Sequence, residues 1–154
     1  MLWFSDDRDG FVRDEAGRLL TAATAETLTA VARSRDITPV DCDPAGYDLD
    51  RIRAWCSAPE ASAMNCPALL DAWNFFDDMA GMPDGADTPR GRRSRGATAC
   101  YEKLFWGSNL PAVTPPGERF APEWRADELI QLRSVLEAGL DLVESELRAA
   151  GVRV

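Results

Sequence analysis

The clearest period in the chain lies near its C-terminal end, where Leu129, Leu132, Leu136, Leu140, Val143 and Leu147 recur at steps of three and four. That spacing puts them on one side of a helix. The helix is predicted to start near Ala126, with Asp127 and Glu128 complementing its positive N-terminal end. Gly139 within it permits close packing against a neighbouring helix. A second strong pattern is "NCPALLDAWNFFDDMAGMP", starting at Asn65. Asn65 or Cys66 begins a helix, Pro67 suits its first turn, and Gly81 with Pro83 stop it. Leu69, Trp73, Phe76 and Ala80 make one stripe, widened by Leu70, Ala72, Phe75 and Met79. So broad an apolar surface predicts a helix packed on two sides.

Weaker patterns fill in the first third. "TAETLTAVARSRD", from Thr24, has a capping start with Leu28, Val31 and Ala32 at helical spacing. "YDLDRIRAWCSAP" opens a helix near Asp48, with Leu49, Ile52, Trp55 and Cys56 on one face. "ITPVDC" between them reads as a short strand, confined to a sheet edge by Pro39. "LWFS" and "FVRD" read as a hairpin with Asp9-Gly10 at its turn. The acids there fail the EF-hand pattern, because Ser5 and Ala16 occupy the first and last ligand places. These elements predict an α+β, helix-dominated single domain over 1–154, with a small N-terminal β-sheet of two to three short strands and a long C-terminal helix. No regular alternation supports a doubly wound parallel sheet.

Two stretches fit no period. Residues 84–96, "DGADTPRGRRSRG", are nearly without apolar side chains and read as a flexible basic loop. Residues 103–124, "KLFWGSNLPAVTPPGERFAPEW", are rich in aromatics and prolines. Before and into this stretch, "YEKLFW" reads as a short amphipathic turn or helix end, with Tyr101, Leu104 and Phe105 inward and Gly107 ending it. Pro111, Pro115 and Pro116 hold the following residues extended. The stretch is expected to be a proline-stiffened strap over the core, with Trp106 and Trp124 as candidate anchors for a partner.

Composition narrows the functions. The chain has 154 residues, 45% hydrophobic and 28% charged, and no window long and apolar enough for a membrane span. Its first residues lack the basic and small-residue features of a signal peptide, so the expected location is cytoplasmic. Cys42, Cys56, Cys66 and Cys100 are scattered without a C-x-x-C pair, and reduced, mostly buried thiols are expected. There is no histidine, which excludes Ser-His-Asp and Cys-His catalysis and weakens any zinc reading. No catalytic residue, metal site or cofactor is assigned, and a non-enzymatic protein is expected. The formal charge of −9 disfavours nucleic acid and anionic membranes and attracts basic proteins. Lys103 is the only lysine among many arginines, which reads as codon bias.

Three charged constellations remain. Arg90, Arg92, Arg93 and Arg95 give the loop a net +2 and leave −11 elsewhere. They suit a solvated loop, a protein contact or, less well without interleaved aromatics, nucleic acid. Glu137, Asp141 and Glu144 share one side of the last helix, a solvated face or a docking face for a basic partner. Asp71, Asp77 and Asp78 lie on the central helix, where Asp77 and Asp78 point about 100° apart and do not converge into a metal or acid–base pair.

The "AWNFFDDMA" helix, "YEKLFWGSNLPAVTPPG" and the long C-terminal helix together resemble small acidic proteins of a known class. These are immunity proteins of bacterial contact-dependent and polymorphic toxin systems. The resemblance is to the class and implies no residue roles. It implies a protein-binding inhibitor that neutralises a cognate basic toxin, for instance a nuclease. Glu137, Asp141 and Glu144 are the first candidate contacts, then Asp71, Asp77 and Asp78, with Trp106 or Trp124 as anchor. A self-associating interaction module, its arginine loop meeting a neighbour's acidic helix, is the alternative. A histidine-free enzyme or small-ligand binder using a carboxylate or Cys100 is the third.

Overall fold

Asn65 starts the helix around which the chain is arranged. Its side-chain oxygen accepts the Ala68 N–H at 3.2 Å, and Pro67 lies in the first turn, where its missing donor costs nothing. Gly81, at φ +65°, closes the other end. The structure, a computed structural model, describes residues 1–5, 9–81 and 95–153. In chain order the elements are β1 (Trp3–Ser5), β2 (Asp9–Phe11), α1 (Ala25–Arg33), α2 (Leu49–Ser57), a 3-10 turn (Ala61–Ala63), α3 (Cys66–Ala80), α4 (Arg95–Gly107) and α5 (Ala126–Ala149). The fold is α+β and helix-dominated, with one two-stranded antiparallel sheet among the described residues and a long C-terminal helix.

The central helix α3 buries Cys66, Leu69, Leu70, Ala72, Trp73, Phe75, Phe76 and Met79. It is packed against α5, α4, α2 and β2. Ala80, expected in its stripe, is exposed in the last turn where the chain veers off at Gly81, and fully buried Met79 closes the core there. The long helix α5 presents Leu132, Leu136, Leu140 and Val143 to this core, with Leu129 and Leu147 half-buried. Gly139 makes the approach possible. A Cβ on it would lie 2.1 Å from a ring carbon of Phe76.

The amphipathic turn expected at Tyr101 is the end of a full helix, α4. It runs from Arg95 to Gly107 and buries Ala97, Cys100 and Leu104 at helical spacing. Tyr101 meets the Trp73 ring edge-on, with centroids 5.5 Å apart, and donates its hydroxyl hydrogen to Asn74 at 2.9 Å. Arg95 and Gly96, read as loop, therefore belong to a helix whose first turn carries only one inward apolar residue. The smaller helices keep the expected caps, Thr24 on α1 and Asp48 on α2. Ile52, Trp55 and Cys56 of α2 enter the core.

Two N-terminal expectations are corrected. Gly10 is not at a turn but in β2, opposite Phe4, with Trp3 opposite Phe11 and Ser5 opposite Asp9. A Cβ on Gly10 would sit 3.1 Å from the Phe4 ring, so the glycine serves close packing across the strands. Residues 37–42 form no strand. Val40 is 84% exposed, and Pro39 offers no donor to a ladder.

The aromatic-proline stretch covers less than a strap would. Asn109, at φ +50°, donates its amide N–H to the Phe120 carbonyl (2.9 Å) and accepts the Phe120 N–H (2.7 Å), clasping the two ends of a loop. Leu110, Val113 and Phe120 stay exposed within it. The return limb crosses the start of α3 tightly, since a Cβ on Gly107 would fall 2.7 Å from the Cys66 sulfur and 2.9 Å from Pro122. Trp124 then packs on the core.

Where this limb enters α5, Glu128 is buried at 6% exposure. It accepts the Arg125 backbone N–H at 2.9 Å, and Lys103 of α4 donates to both its oxygens at 2.8 and 2.7 Å. The same ammonium reaches the Glu123 carbonyl at 2.7 Å. The single lysine of the chain thus joins α4, the return limb and α5. Burial alone would raise the Glu128 pKa, but the Arg125 N–H, the Lys103 charge and the Arg125 charge together hold it below the ordinary value.

These contacts have measurable outcomes. Gly139→Ala lowers stability by roughly 1–3 kcal/mol through overpacking, and Phe76→Leu in the same chain recovers part of it, both read by thermal unfolding. Lys103→Met costs roughly 3 kcal/mol, because a buried carboxylate loses its partner. Arg133→Ala, at an exposed pair, costs under about 1 kcal/mol. Glu128 is held ionised in the fold, so its contribution is complete above its unfolded pKa and is lost as pH falls through the lower folded value. The acid limb of a stability–pH curve therefore flattens in Glu128→Gln.

Candidate functional site

The acids of α5 come to rest mostly in pairs. Arg133 of the same helix donates to Glu137 at 2.8 Å. Glu144 takes Arg148 at 2.8 Å and, across to α2, Arg53 at 2.5 Å. Glu146 likewise binds Arg13 at 2.6 Å. Asp141 alone of the three predicted α5 contacts is exposed without an ion pair to a described residue. Partly exposed pairs of this kind add little stability, and they remove most of the field expected there.

The acids of α3 have different neighbours. Asp71 is exposed, while Asp77 and Asp78 are half-buried. Asp78 accepts the indole N–H of Trp3 at 2.9 Å, tying β1 to the helix. One turn back, Phe75 carries Tyr47 stacked on it, with centroids 4.4 Å apart, and Phe11 edge-on at 5.4 Å. Phe4 lies over Gly10, whose added Cβ would also come within 3.8 Å of the Asp78 carbonyl. Trp3 (49% exposed) and Tyr47 (44%) thus stand beside Asp71 and Asp78, while Phe4 (39%), the next residue along β1, leaves the other side of the strand. Partial burial raises the Tyr47 pKa first, and the nearby charges of Asp71 and Asp78 raise it further. A phenol held neutral beside carboxylates marks a locally negative surface.

Neither Trp3 nor Tyr47 is marked as a site residue by the sequence pattern. Tyr47 sits in a polar run whose spacing carries no link to Phe75, and Trp3 was absorbed into a hairpin. Only their size in otherwise polar or edge positions marked them.

The two predicted anchors differ from each other. Trp106 is exposed and edge-on to Phe105, with centroids 5.3 Å apart. Trp124 is half-buried, with Lys103 Nζ 5.6 Å from its ring centroid, and its indole nitrogen is enclosed without an acceptor among the described residues. Of the predicted arginine cluster, Arg95 opens α4 and is exposed, and Arg90, Arg92 and Arg93 lie outside the described residues.

Cysteine chemistry is confined. Cys56, Cys66 and Cys100 are buried and free, and Cys42 is exposed. Burial pushes the Cys56 thiol up to about 11, with the Glu137 charge adding to it. Cys100 has no exposed surface and its thiol, raised first by burial and then by the Glu128 charge, donates to the Glu128 carbonyl at 3.5 Å. A buried, protonated thiol is a poor nucleophile. Among the described residues no three Cys, Asp or Glu side chains gather as metal ligands, and no helix is long and apolar enough to cross a membrane.

In a Tyr101→Phe background, which leaves Tyr47 as the one tyrosine, tyrosinate absorbance titrates above the ordinary value of 10.0. Asp71→Asn and Asp78→Asn each move that titration down, since each removes a charge that opposes phenolate. Set against models of protein families, curated proteins and solved structures, the chain matches none of them.

Proposed function

We propose that this chain is an acidic protein-binding inhibitor that docks a basic protein, in the manner its resemblance to toxin-immunity proteins implies. The observation that carries the reading is the face built by Trp3, Tyr47, Asp71 and Asp78. An arginine or lysine side chain gains twice on such a surface. Its charge meets a carboxylate while its flat or methylene portion lies on an aromatic ring. Exposed Trp and Tyr at the centre of a contact supply much of the energy of typical interfaces. Phe75, met edge-on by Phe11, stacks under the Tyr47 ring, and Asp78 holds the Trp3 indole, so little freedom is lost on binding.

The net charge of −9 acts at longer range. It accelerates encounter with a positively charged surface and repels nucleic acid. A nuclease is the kind of toxin this suits, because its phosphate-binding surface presents clustered cations, and a carboxylate-bearing inhibitor occupies the place of phosphate. Asp141 and the paired Glu137 and Glu144 contribute to the approach rather than to the contact. No catalytic step is assigned to the chain.

Capture at low salt from the source cell's extract is the test, with identification and assay of the retained protein. The expected partner is basic, is released as salt rises, and loses its activity on binding one equivalent of the chain. Trp3→Ala weakens the complex by about 2 kcal/mol and Asp71→Asn by less, read by calorimetry. Retention of only acidic proteins, or a complex indifferent to both changes, sinks the reading. A complex lost instead on changing Glu137, Asp141 and Glu144 moves the contact to α5.

A further inference from the structure

At the opposite end of α3 the surface changes sign. An open groove of about 550 Å³ runs between the 3-10 turn, the start of α3 and the return limb of the 108–124 loop. Cys66 and Asp78 are separated by about 18 Å at the rise of an α-helix, so the groove is distinct from the acidic aromatic face. In a chain with 26 acidic residues, none of the described residues lining the groove is Asp or Glu. Two lining residues are cationic, Arg51 and Arg119, and neither forms an ion pair with a described residue. Arg53, two positions from Arg51, is instead committed to Glu144. The start of α3 adds its positive end to the same wall.

The remaining lining sets polar Ser62, Asn65 and Asn109 among apolar and aromatic side chains. Phe120, 45% exposed, and Trp124 both face the groove region as lining residues. The wall is held rather than loose. Asn109 is bonded to both the carbonyl and the N–H of Phe120, and Gly107 lets Pro122 close against the Cys66 sulfur. Asn65 uses its oxygen on the helix cap, which leaves its amide nitrogen without a described acceptor. The volume lies within the range of small-molecule sites, roughly 300–1,000 Å³.

We propose that this groove binds a small organic anion, a carboxylate or phosphate carried on a flat ring, with Arg51 and Arg119 holding the charge and Phe120 and Trp124 flanking the ring. Guanidinium groups suit both anions through paired donors. The site is independent of the protein-binding face.

Four probes test it on the full chain by amide chemical-shift titration: phenyl phosphate, benzoate, neutral benzyl alcohol and inorganic phosphate. At least one aryl anion saturates with Kd of about 1 mM or below, with shifts centred on residues 61–67 and 119–124. Benzyl alcohol and inorganic phosphate each bind about tenfold more weakly or less, since each lacks one of the two recognised parts. The preference between phenyl phosphate and benzoate identifies the anion. Arg51→Met with Arg119→Met lowers affinity about tenfold or more, while Arg33→Met with Arg35→Met and, separately, Trp3→Ala leave it unchanged. Both arginines are exposed, so the fold survives, and an unchanged melting midpoint verifies this. Four results overturn the proposal: no saturation by either aryl anion, equal binding of benzyl alcohol, equal binding of inorganic phosphate, or full affinity in the double arginine variant.

Discussion

A helix that carries Leu69, Leu70, Trp73, Phe75, Phe76 and Met79 in under three turns cannot be left with more than a narrow strip facing water. Everything else in this fold answers that demand. The long helix α5 lies along one flank, α4 along another, and α2 and β2 close the remaining sides. Enclosure at that density requires backbones to come close, and two glycines permit it: Gly139 under the Phe76 ring and Gly107 against Cys66 and Pro122. One buried carboxylate then fixes how the enclosing pieces meet. Glu128 is satisfied at once by the first turn of its own helix and by Lys103 of α4, while Lys103 also reaches back to the return limb. The strip that α3 does leave to solvent is the one bearing Asp71 and, partly covered, Asp78. The surface chemistry is thus set by what the core could not absorb.

Most of the helical framework was legible because its signals are local. Thr24, Asp48 and Asn65 cap the helices they were expected to cap, and Gly81 ends α3 in the left-handed conformation. The stripe of α5 was visible from its spacing alone. What escaped depended on contacts distant in sequence. The first turn of α4 looks like loop because Arg95 and Gly96 offer nothing apolar, and only the packing of Ala97 and Cys100 behind them stabilises it as helix. Gly10 resembles a turn residue, yet it lies in β2 with the Phe4 ring packed closely over it. The stacking of Tyr47 on Phe75, which forms the middle of the candidate face, has no periodic trace at all. Lys103, unremarkable in sequence, acquires its role only when α5 is folded beside it.

Charge is also sorted more sharply than composition suggests. On α5 the acids are matched by arginines at helical spacing and by Arg53 and Arg13 from other elements, so that surface is nearly balanced. Acidity uncompensated by described partners is found at Asp71, next to exposed rings. Unmatched positive charge collects at the other end of α3, around Arg51 and Arg119. A protein with a uniformly negative total can therefore show opposite signs to two classes of molecule, along the length of a single helix. Local arrangement, more than net charge, decides recognition at short range.

The Asn109 clasp has a consequence for how this protein can vary. By joining both backbone groups of Phe120 to one side chain, it closes residues 110–119 into a loop whose ends are fixed independently of what lies between. Lengthening such a loop costs little, because closure entropy grows only with the logarithm of its length. Apart from Arg119, the surface of this segment is free to diverge, or to accept an inserted peptide, while the wall of the groove behind it keeps its shape.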